Sequence, residues 1–157
     1  MRTLALLLLL LALPALGQAD RGPQPGAAGV YLNGSVVRPG DQMGIVLGVA
    51  GPPDFVRAVR NQKPEDDYVL FSYPHHGVSF DINSTTNRVQ GILVEATEAR
   101  LDGLPFRIGD TQQSVTSSWG QPERTEVGML VYWRRGVYLG LDNSGRIIRV
   151  FLTEPGR

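Results

Sequence analysis

Cysteine is absent from this chain of 157 residues. A disulfide, a thiolate metal site and a lipid carried on an N-terminal cysteine are therefore excluded for it. Lysine is nearly absent, since Lys63 is the one example, and no run of like charge is longer than residues 65–67. Basic and acidic residues balance at 15 each. This balance argues against a nucleic acid or an anionic membrane surface as the main partner.

The N-terminal residues have the composition of a secretory signal. A short positive start precedes an unbroken apolar run over residues 4–13, and residues 14–17 end it. The run is shorter than the ~20 apolar residues that a bilayer needs, and no other segment is long enough. We therefore predict a signal peptide at residues 1–17, cleaved after Gly17 or Ala19. The expected product is exported, to the periplasm or to the medium.

Residues 18–29 are rich in proline and glycine and are predicted to be a flexible leader. Most of the chain after them consists of an internal sequence repeat. One set of residues recurs 69 positions later: Gly40, Asp41, Val46, Gly51 and Pro53 match Gly109, Asp110, Val115, Gly120 and Pro122. A second set recurs 59 positions later: Tyr73, Gly77 and Val78 match Tyr132, Gly136 and Val137. The offset shortens because the first copy has about ten extra residues before Tyr68. We predict two tandem repeats, residues 30–98 and 99–157.

Each repeat has the pattern of one short helix. In the first, Gln42 takes the N-cap position and the buried stripe is predicted at Met43, Val46, Leu47 and Ala50. In the second, Thr111 is the predicted N-cap and the stripe is Ile108, Val115 and Trp119. Gly44 and Gly48 each cost the first helix about 1 kcal/mol relative to alanine, so we expect it to be the weaker one.

The helices are followed by segments whose apolar residues alternate with a period of two. They predict strands at residues 55–60, 68–73, 77–82 and 88–94, and again at 124–127, 130–133, 137–141 and 147–152. Short extended pieces at 29–32 and 99–101 end at the turn-forming pairs Asn33-Gly34 and Asp102-Gly103. The predicted fold class is α+β, with two tandem pseudo-symmetric repeats, each a short helix packed on an antiparallel β-meander.

The repeated pattern resembles a known family. Arg38-x-Gly40-Asp41, a helix, Gly51-x-Pro53, a tyrosine and Gly77-Val78-x-Phe80 resemble the small repeat of the SmpA/OmlA (BamE-like) domains. The pattern also resembles the related tandem-repeat fold of the beta-lactamase inhibitor proteins. BamE-like proteins are usually lipoproteins with one copy and the inhibitors carry disulfides, whereas this chain has two copies and no cysteine. The resemblance implies protein–protein binding through the sheet face or loops, without catalysis and without a cofactor.

Residues that could carry chemistry are few and scattered. His75 and His76 are the two histidines, and adjacent residues on a strand point to opposite faces, so they do not form a metal site without further ligands. Asp66 and Asp67 lie in the segment that the second repeat lacks, which is typical of a solvated loop. No Gly-x-Ser-x-Gly elbow and no phosphate-binding glycine loop is present. We predict no catalytic residue, no metal and no cofactor.

The two repeats differ most at equivalent hairpin tips, Pro74-His75-His76-Gly77 and Trp133-Arg134-Arg135-Gly136. Tryptophan and arginine often anchor interfaces, so Trp133, Arg134 and Arg135, together with His75 and His76, are the candidate partner-binding residues. The alternative is that Trp133 points into the core and the arginines are merely solvated.

Two functions remain open from the sequence. The first is an exported, non-enzymatic protein-binding module, either an envelope-assembly accessory or an inhibitor-like protein, with its partner in the cell envelope or the medium. The second is a small ligand-binding or hydrolytic protein that uses the cleft between the repeats, with His75 or His76 functional. A cleft lined by these histidines and a carboxylate would favour the second function, and a closed interface would favour the first.

Overall fold

The structure is a computed structural model and describes residues 27–156. The predicted signal peptide and most of the predicted leader lie outside these residues. The described part is a mixed α/β fold. Its elements in chain order are β1 Gly29–Leu32, β2 Ser35–Val37, α1 Met43–Ala50, β3 Phe55–Val59, β4 Tyr68–Tyr73, β5 Val78–Asn83, β6 Val89–Val94, β7 Leu101–Asp102, α2 Gln112–Trp119, β8 Arg124–Glu126, β9 Met129–Tyr132, β10 Val137–Leu141 and β11 Ile147–Thr153. Three single-turn 3₁₀ helices occupy Pro64–Asp66, Pro74–His76 and Trp133–Arg135.

Eight of the strands form one antiparallel sheet in the order β3-β4-β5-β6-β11-β10-β9-β8. The strands of the first half are followed by those of the second half in reverse, so β6 and β11 meet in the middle. A separate three-stranded sheet has the order β2-β1-β7. The β1–β2 hairpin turns at Asn33 and Gly34, whose φ angles are 47° and 84°. Both residues are left-handed, as the predicted tight turn requires.

Matching positions in the two halves make the same contacts. The Tyr73 hydroxyl donates to the Gly51 carbonyl at 2.9 Å, and the Tyr132 hydroxyl donates to the Gly120 carbonyl at 2.9 Å. The β5–β6 and β10–β11 ladders each shift register once, after Asp81 and after Gly140 respectively. Each tyrosine fastens the end of a helix to its half of the sheet.

The middle of the sheet lies at the pairing of Leu93 on β6 with Phe151 on β11. On either side of this pair the ladder joins Val94 to Val150 and Ile92 to Leu152. Matching positions thus lie symmetrically about the Leu93–Phe151 pair. Both of these side chains point to the sheet face away from the helices, because their neighbours along each strand are fully buried in the core.

The core lies between the helices and one face of the large sheet. Val46 of α1 and Val115 of α2 are completely buried in it, as predicted. The stripe on α1 is wrong at Leu47, which is 36% exposed, while Val49 packs against the core instead. Because α1 is only two turns long, just one narrow face of it packs against the sheet. This face includes Val49 and excludes Leu47.

The helix starts differ as the sequence indicates. Thr111 accepts a hydrogen bond from the Ser114 backbone N–H at 3.2 Å, which confirms the predicted N-cap. Gln42 occupies the same position on α1 but makes no capping bond with its side chain. Neither helix within residues 27–156 has the length and apolar character needed to cross a membrane.

The folded body begins earlier than predicted. Ala27 and Ala28, which the leader prediction places outside it, are buried, and Gly29 belongs to β1. The Arg38 side chain donates to the Ala27 carbonyl at 3.2 Å. Small residues suit this position, since a Cβ at Gly29 would lie 2.7 Å from the Val37 carbonyl oxygen. The leader prediction is therefore wrong at residues 27–29. The small residues there do not indicate a flexible segment, because they allow close packing against β2.

Candidate functional site

The two predicted tip segments are not brought together. Each is a 3₁₀ turn that ends at a left-handed glycine, Gly77 or Gly136. The strands that follow them, β5 and β10, run in opposite directions because each step across β6 and β11 is antiparallel. The tips therefore lie at opposite ends of the sheet. The two tips therefore do not form one continuous binding surface.

Trp133 lies outside the core, with 40% of its surface exposed. The Arg134 guanidinium lies 5.5 Å from the centre of its ring. Arg135 is engaged elsewhere: it stacks over Trp119 at 4.4 Å and donates to the Trp119 carbonyl at 3.2 Å. Trp133 and Arg134 are thus available for contact, whereas Arg135 fastens the end of α2.

The histidines line a small pocket on the side of β1. His75 is exposed and His76 is half-buried, with its ring 6.5 Å from that of Tyr73. The pocket has a volume of about 330 Å³. Among residues 27–156, no group of three or more His, Cys, Asp or Glu side chains could hold a metal ion.

A larger groove lies at the junction of the two halves, on the sheet face away from the helices. Its volume is about 980 Å³. Apolar side chains from four neighbouring strands, β6, β11, β10 and β9, form its floor: Leu93, Phe151, Tyr138 and Met129. On the opposite face the same junction is filled by Ile92, Val94, Val150 and Leu152, all fully buried. A groove between the two halves is therefore present on the outer face, but the histidines of the second predicted function do not line it.

Glycines on opposite sides of the centre leave room for two side chains that line this groove, Phe151 over Gly91 and Arg149 over Gly140. Asp81 on β5 pairs with Gly91 on β6, and Gly140 on β10 pairs with Arg149 on β11. A Cβ at Gly91 would lie 2.6 Å from the Phe151 ring and 3.1 Å from a carboxylate oxygen of Asp81. The ring and the carboxylate therefore come together above Gly91.

Asp81 is the titratable group whose environment is most altered. Burial raises the pKa of its carboxyl from 3.8 to about 6. Within residues 27–156 the carboxylate makes no hydrogen bond and no ion pair. The pKa of Tyr68 is also raised, first by burial and then by the negative charge of Asp81. The floor of the groove thus holds a partly desolvated, unpaired carboxylate.

The segment that the second half lacks forms one wall of the groove. Asn61, Gln62, Lys63 and Asp66 line it there. The wall is fastened by Asn83, whose side-chain amide donates to the Glu65 carbonyl at 2.8 Å. The matching residue is Asp142, whose carboxylate holds the same kind of turn but has no N–H to donate. Asp66 is exposed, as expected for a loop, whereas the Asp67 side chain is only 14% exposed and accepts a hydrogen bond from the Asn61 backbone N–H at 2.6 Å. The segment also shapes the groove.

The two edges of the large sheet differ in a way that the sequence analysis missed. Edge strand β3 exposes Phe55 and Val56, at 67% and 61%. The other edge strand, β8, is short and polar, and its Arg124 and Glu126 form an ion pair at 2.9 Å. The signal was available, since Phe55-Val56-Arg57 and Arg124-Thr125-Glu126 occupy matching positions 69 residues apart.

No protein-family model matches this chain, and no curated protein matches it. In fold the chain is similar to an extracellular protein from Bacillus anthracis str. Ames that contains an SCP domain, known from a crystal structure at 1.5 Å resolution. The TM-score is 0.56, with 14% identity over 74% of this chain. The likeness spans 44% of the Bacillus protein, less than half of its length. At this identity it concerns the fold alone.

Proposed function

We propose that this chain is an exported, non-enzymatic module that binds a protein partner, and that the partner adds a strand to the edge of the large sheet at β3. One observation carries the proposal: β3 presents large apolar side chains on an edge that no strand of residues 27–156 covers. Unpaired backbone groups on an exposed edge strand are a template for pairing with another chain. The exposed Phe55 and Val56 supply apolar contact area beside them.

The opposite edge supports this choice. Strand β8 has three residues, all exposed, and its ion pair places charge where a partner strand would lie. Short, charged edges are the usual protection against edge-to-edge association. Strand β3 has five residues, of which Arg57 alone is charged, and so lacks this protection. The difference between the edges selects β3 over β8 as the docking site.

The proposal includes the architecture of two pseudo-symmetric repeats related to the SmpA/OmlA (BamE-like) domains. The mirrored strand order supports it. So do the two tyrosine–glycine bonds and the register shifts at Asp81 and Gly140. If the two halves are copies of one ancestral unit, β3 and β8 are equivalent strands, and their exposed residues have diverged from each other in polarity.

Export is proposed from the sequence of the first 17 residues, which has the pattern of a signal peptide. The extracellular Bacillus protein of similar fold is consistent with this compartment. Binding rather than catalysis is proposed because the partly buried Asp81 carboxylate is separated from the histidines. His75 and His76 share a small pocket with Glu98 at one tip, and Asp81 lies in the groove on another face.

The test exchanges one edge for the other. Phe55→Arg, Val56→Thr and Arg57→Glu together give β3 the side chains of β8. A photo-reactive amino acid placed at Ala58 should cross-link a partner in envelope or medium fractions, and the triple exchange should abolish that product. The same label at Val127, the matching position beside β8, should give none.

Two controls make the result decisive. The melting temperature of the exchange variant should stay within a few degrees of the wild type, since exposed substitutions cost within about 0.5 kcal/mol each. Replacing Trp133 and Arg134 by alanine should leave the cross-link intact. A cross-link that survives the edge exchange but disappears in the tip variant would move the docking site to the tip.

A further inference from the structure

We propose that the groove between the two halves binds a small organic cation, an alkylammonium or guanidinium group on an apolar stem, with the Asp81 carboxylate as its counter-ion. This site is separate from the protein-docking edge at β3. It lies on the face of the sheet, centred on the Leu93–Phe151 pair. The two proposals can therefore fail independently.

The carboxylate is placed to receive a cation. Asp81 lines the groove opposite Gly91, where the absence of a side chain lets the Phe151 ring pack beside its carboxylate. It has no ion-pair or hydrogen-bond partner within residues 27–156. Its raised pKa has burial as its cause, with no compensating cation nearby. A partly desolvated carboxylate attracts a positive group more strongly than one in bulk water.

The basic residues of the groove do not supply that positive group. On the sheet, Arg149 is two strands and four residues from Asp81, which corresponds to about 16 Å between their Cα atoms. The Arg149 side chain instead lies across Gly140, where it would contact a Cβ at 2.5 Å.

At the Asp81 end, the wall contributes Lys63 and Asp66. Arg57 on β3 faces the same end, in the same row of the sheet as Asp81 and two strands from it. The charges here are therefore two carboxylates, one ammonium and one guanidinium. Arg57 is exposed and does not pair with Asp81, so what favours a cationic ligand is the unpaired, partly buried Asp81 carboxylate and not an excess of negative charge.

The floor fits an apolar or aromatic stem. Phe151 and Tyr138 pack with their ring centres 6.1 Å apart, and Leu93 and Met129 lie beside them. An ammonium near an aromatic face gains a cation–π attraction in addition to the ion pair. The volume of about 980 Å³ lies within the range of small-molecule sites. We therefore assign the site to a free small molecule.

The experiment uses three probes that share one aromatic stem. Phenethylammonium is the cation, 2-phenylethanol is its neutral analogue and 3-phenylpropionate is the anion. Each is titrated into ¹⁵N-labelled mature protein at pH 7 and followed by amide chemical shifts. We expect saturable shifts around Asp81, Gly91 and Phe151 with the cation. Since a hydrogen bond to a charged group contributes about 1.5–3 kcal/mol, the alcohol should bind at least ~10-fold more weakly.

Variants separate the carboxylate from the rest of the groove. Asp81→Asn keeps the shape and should weaken the cation to the level of the alcohol, whereas Asp66→Asn in the wall should change affinity by less than about threefold. Phe151→Leu, which copies the matching Leu93, should weaken all three probes that carry the aromatic stem. Asp81→Asn is close in size to the wild type, and its own amide spectrum reports whether it folds.

The pH dependence gives a second readout. Cation binding should weaken as pH falls through about 6, because Asp81 takes up a proton there. The other charged or titratable groups that face this end are Arg57 on β3, Tyr68 on β4, Lys63 and Asp66 in the wall and, farther along the groove, Arg149 on β11.

The proposal is overturned by equal affinity for the alcohol and the cation, by unchanged binding in Asp81→Asn, or by no saturable shift at 20 mM probe. A lysine-containing peptide that binds more tightly than the free amine would overturn the assignment to a small molecule.

Discussion

Replacing Asp81 by asparagine should stabilise the protein at neutral pH. Burial raises the pKa of this carboxyl from 3.8 to about 6, so the folded state holds the proton more tightly than the unfolded chain. The stability that the protonated group contributes is fully present below pH 3.8 and is lost as pH rises through about 6. Above that pH the ionised carboxylate is a net cost to the fold.

The size of the effect follows from the shift. A difference of about two pKa units corresponds to about 3 kcal/mol. The groove leaves the carboxylate partly open to water, and solvent screening reduces this to about 1–2 kcal/mol. Asparagine has nearly the same shape and no charge. The variant should therefore be more stable than the wild type by about 1–2 kcal/mol at pH 7 and equal to it at pH 4.

The measurement is urea unfolding of both proteins at pH 4, 5, 6 and 7, with the slope m checked for constancy. The difference in unfolding free energy should grow between pH 4 and 6 and then level off. Asp66→Asn, at an exposed position in the wall, is the matched control and should show no such trend. Equal stability of Asp81→Asn and wild type at pH 7 would refute the reasoning, as would a variant that is less stable at every pH.

Two further predictions concern the packing of the groove floor and the N-caps of the two helices. Gly91→Ala should cost about 1–3 kcal/mol in thermal unfolding, because its Cβ would meet the packed Phe151 ring at 2.6 Å, whereas Gly140→Ala should cost less because the facing atoms belong to a flexible arginine side chain. Thr111→Ala should lower stability by about 1 kcal/mol through the lost N-cap bond, whereas Gln42→Ala, which loses no capping bond, should stay within ~0.5 kcal/mol of wild type.

Strands with a strict period of two were predictable from the sequence. Val78, Phe80 and Ile82 alternate with Ser79 and Asp81, and the structure buries the first three in the core. Strands β4 and β10 have the predicted bounds, residues 68–73 and 137–141. A single buried face imposes this alternation locally, so it can be read without knowing the partner strand.

The groove could not be predicted in the same way. Alternation correctly places Asp81 on the face away from the helices, which favours an ordinary solvated carboxylate. Its burial arises from Phe151, which reaches it across Gly91 from a strand 70 residues later in the chain. That contact depends on β6 pairing with β11, and no local pattern specifies this pairing. The short strand β2 was missed for a related reason, since three residues are too few for a period to be seen.

The two halves differ in polarity at exposed positions, whereas matching core positions such as Phe80 and Leu139 differ only in which apolar residue they hold. This separates packing from binding. Val46 and Val115, which match, are both completely buried under the sheet. Matching positions on the β3 and β8 edges differ in polarity, and Asp81 on the groove floor matches a glycine. A difference in the core would require compensating changes in volume, whereas a difference on the surface is limited only by what the surface contacts. The β3 edge and the groove are therefore the places where this fold can acquire a specific partner or ligand without a change in its architecture.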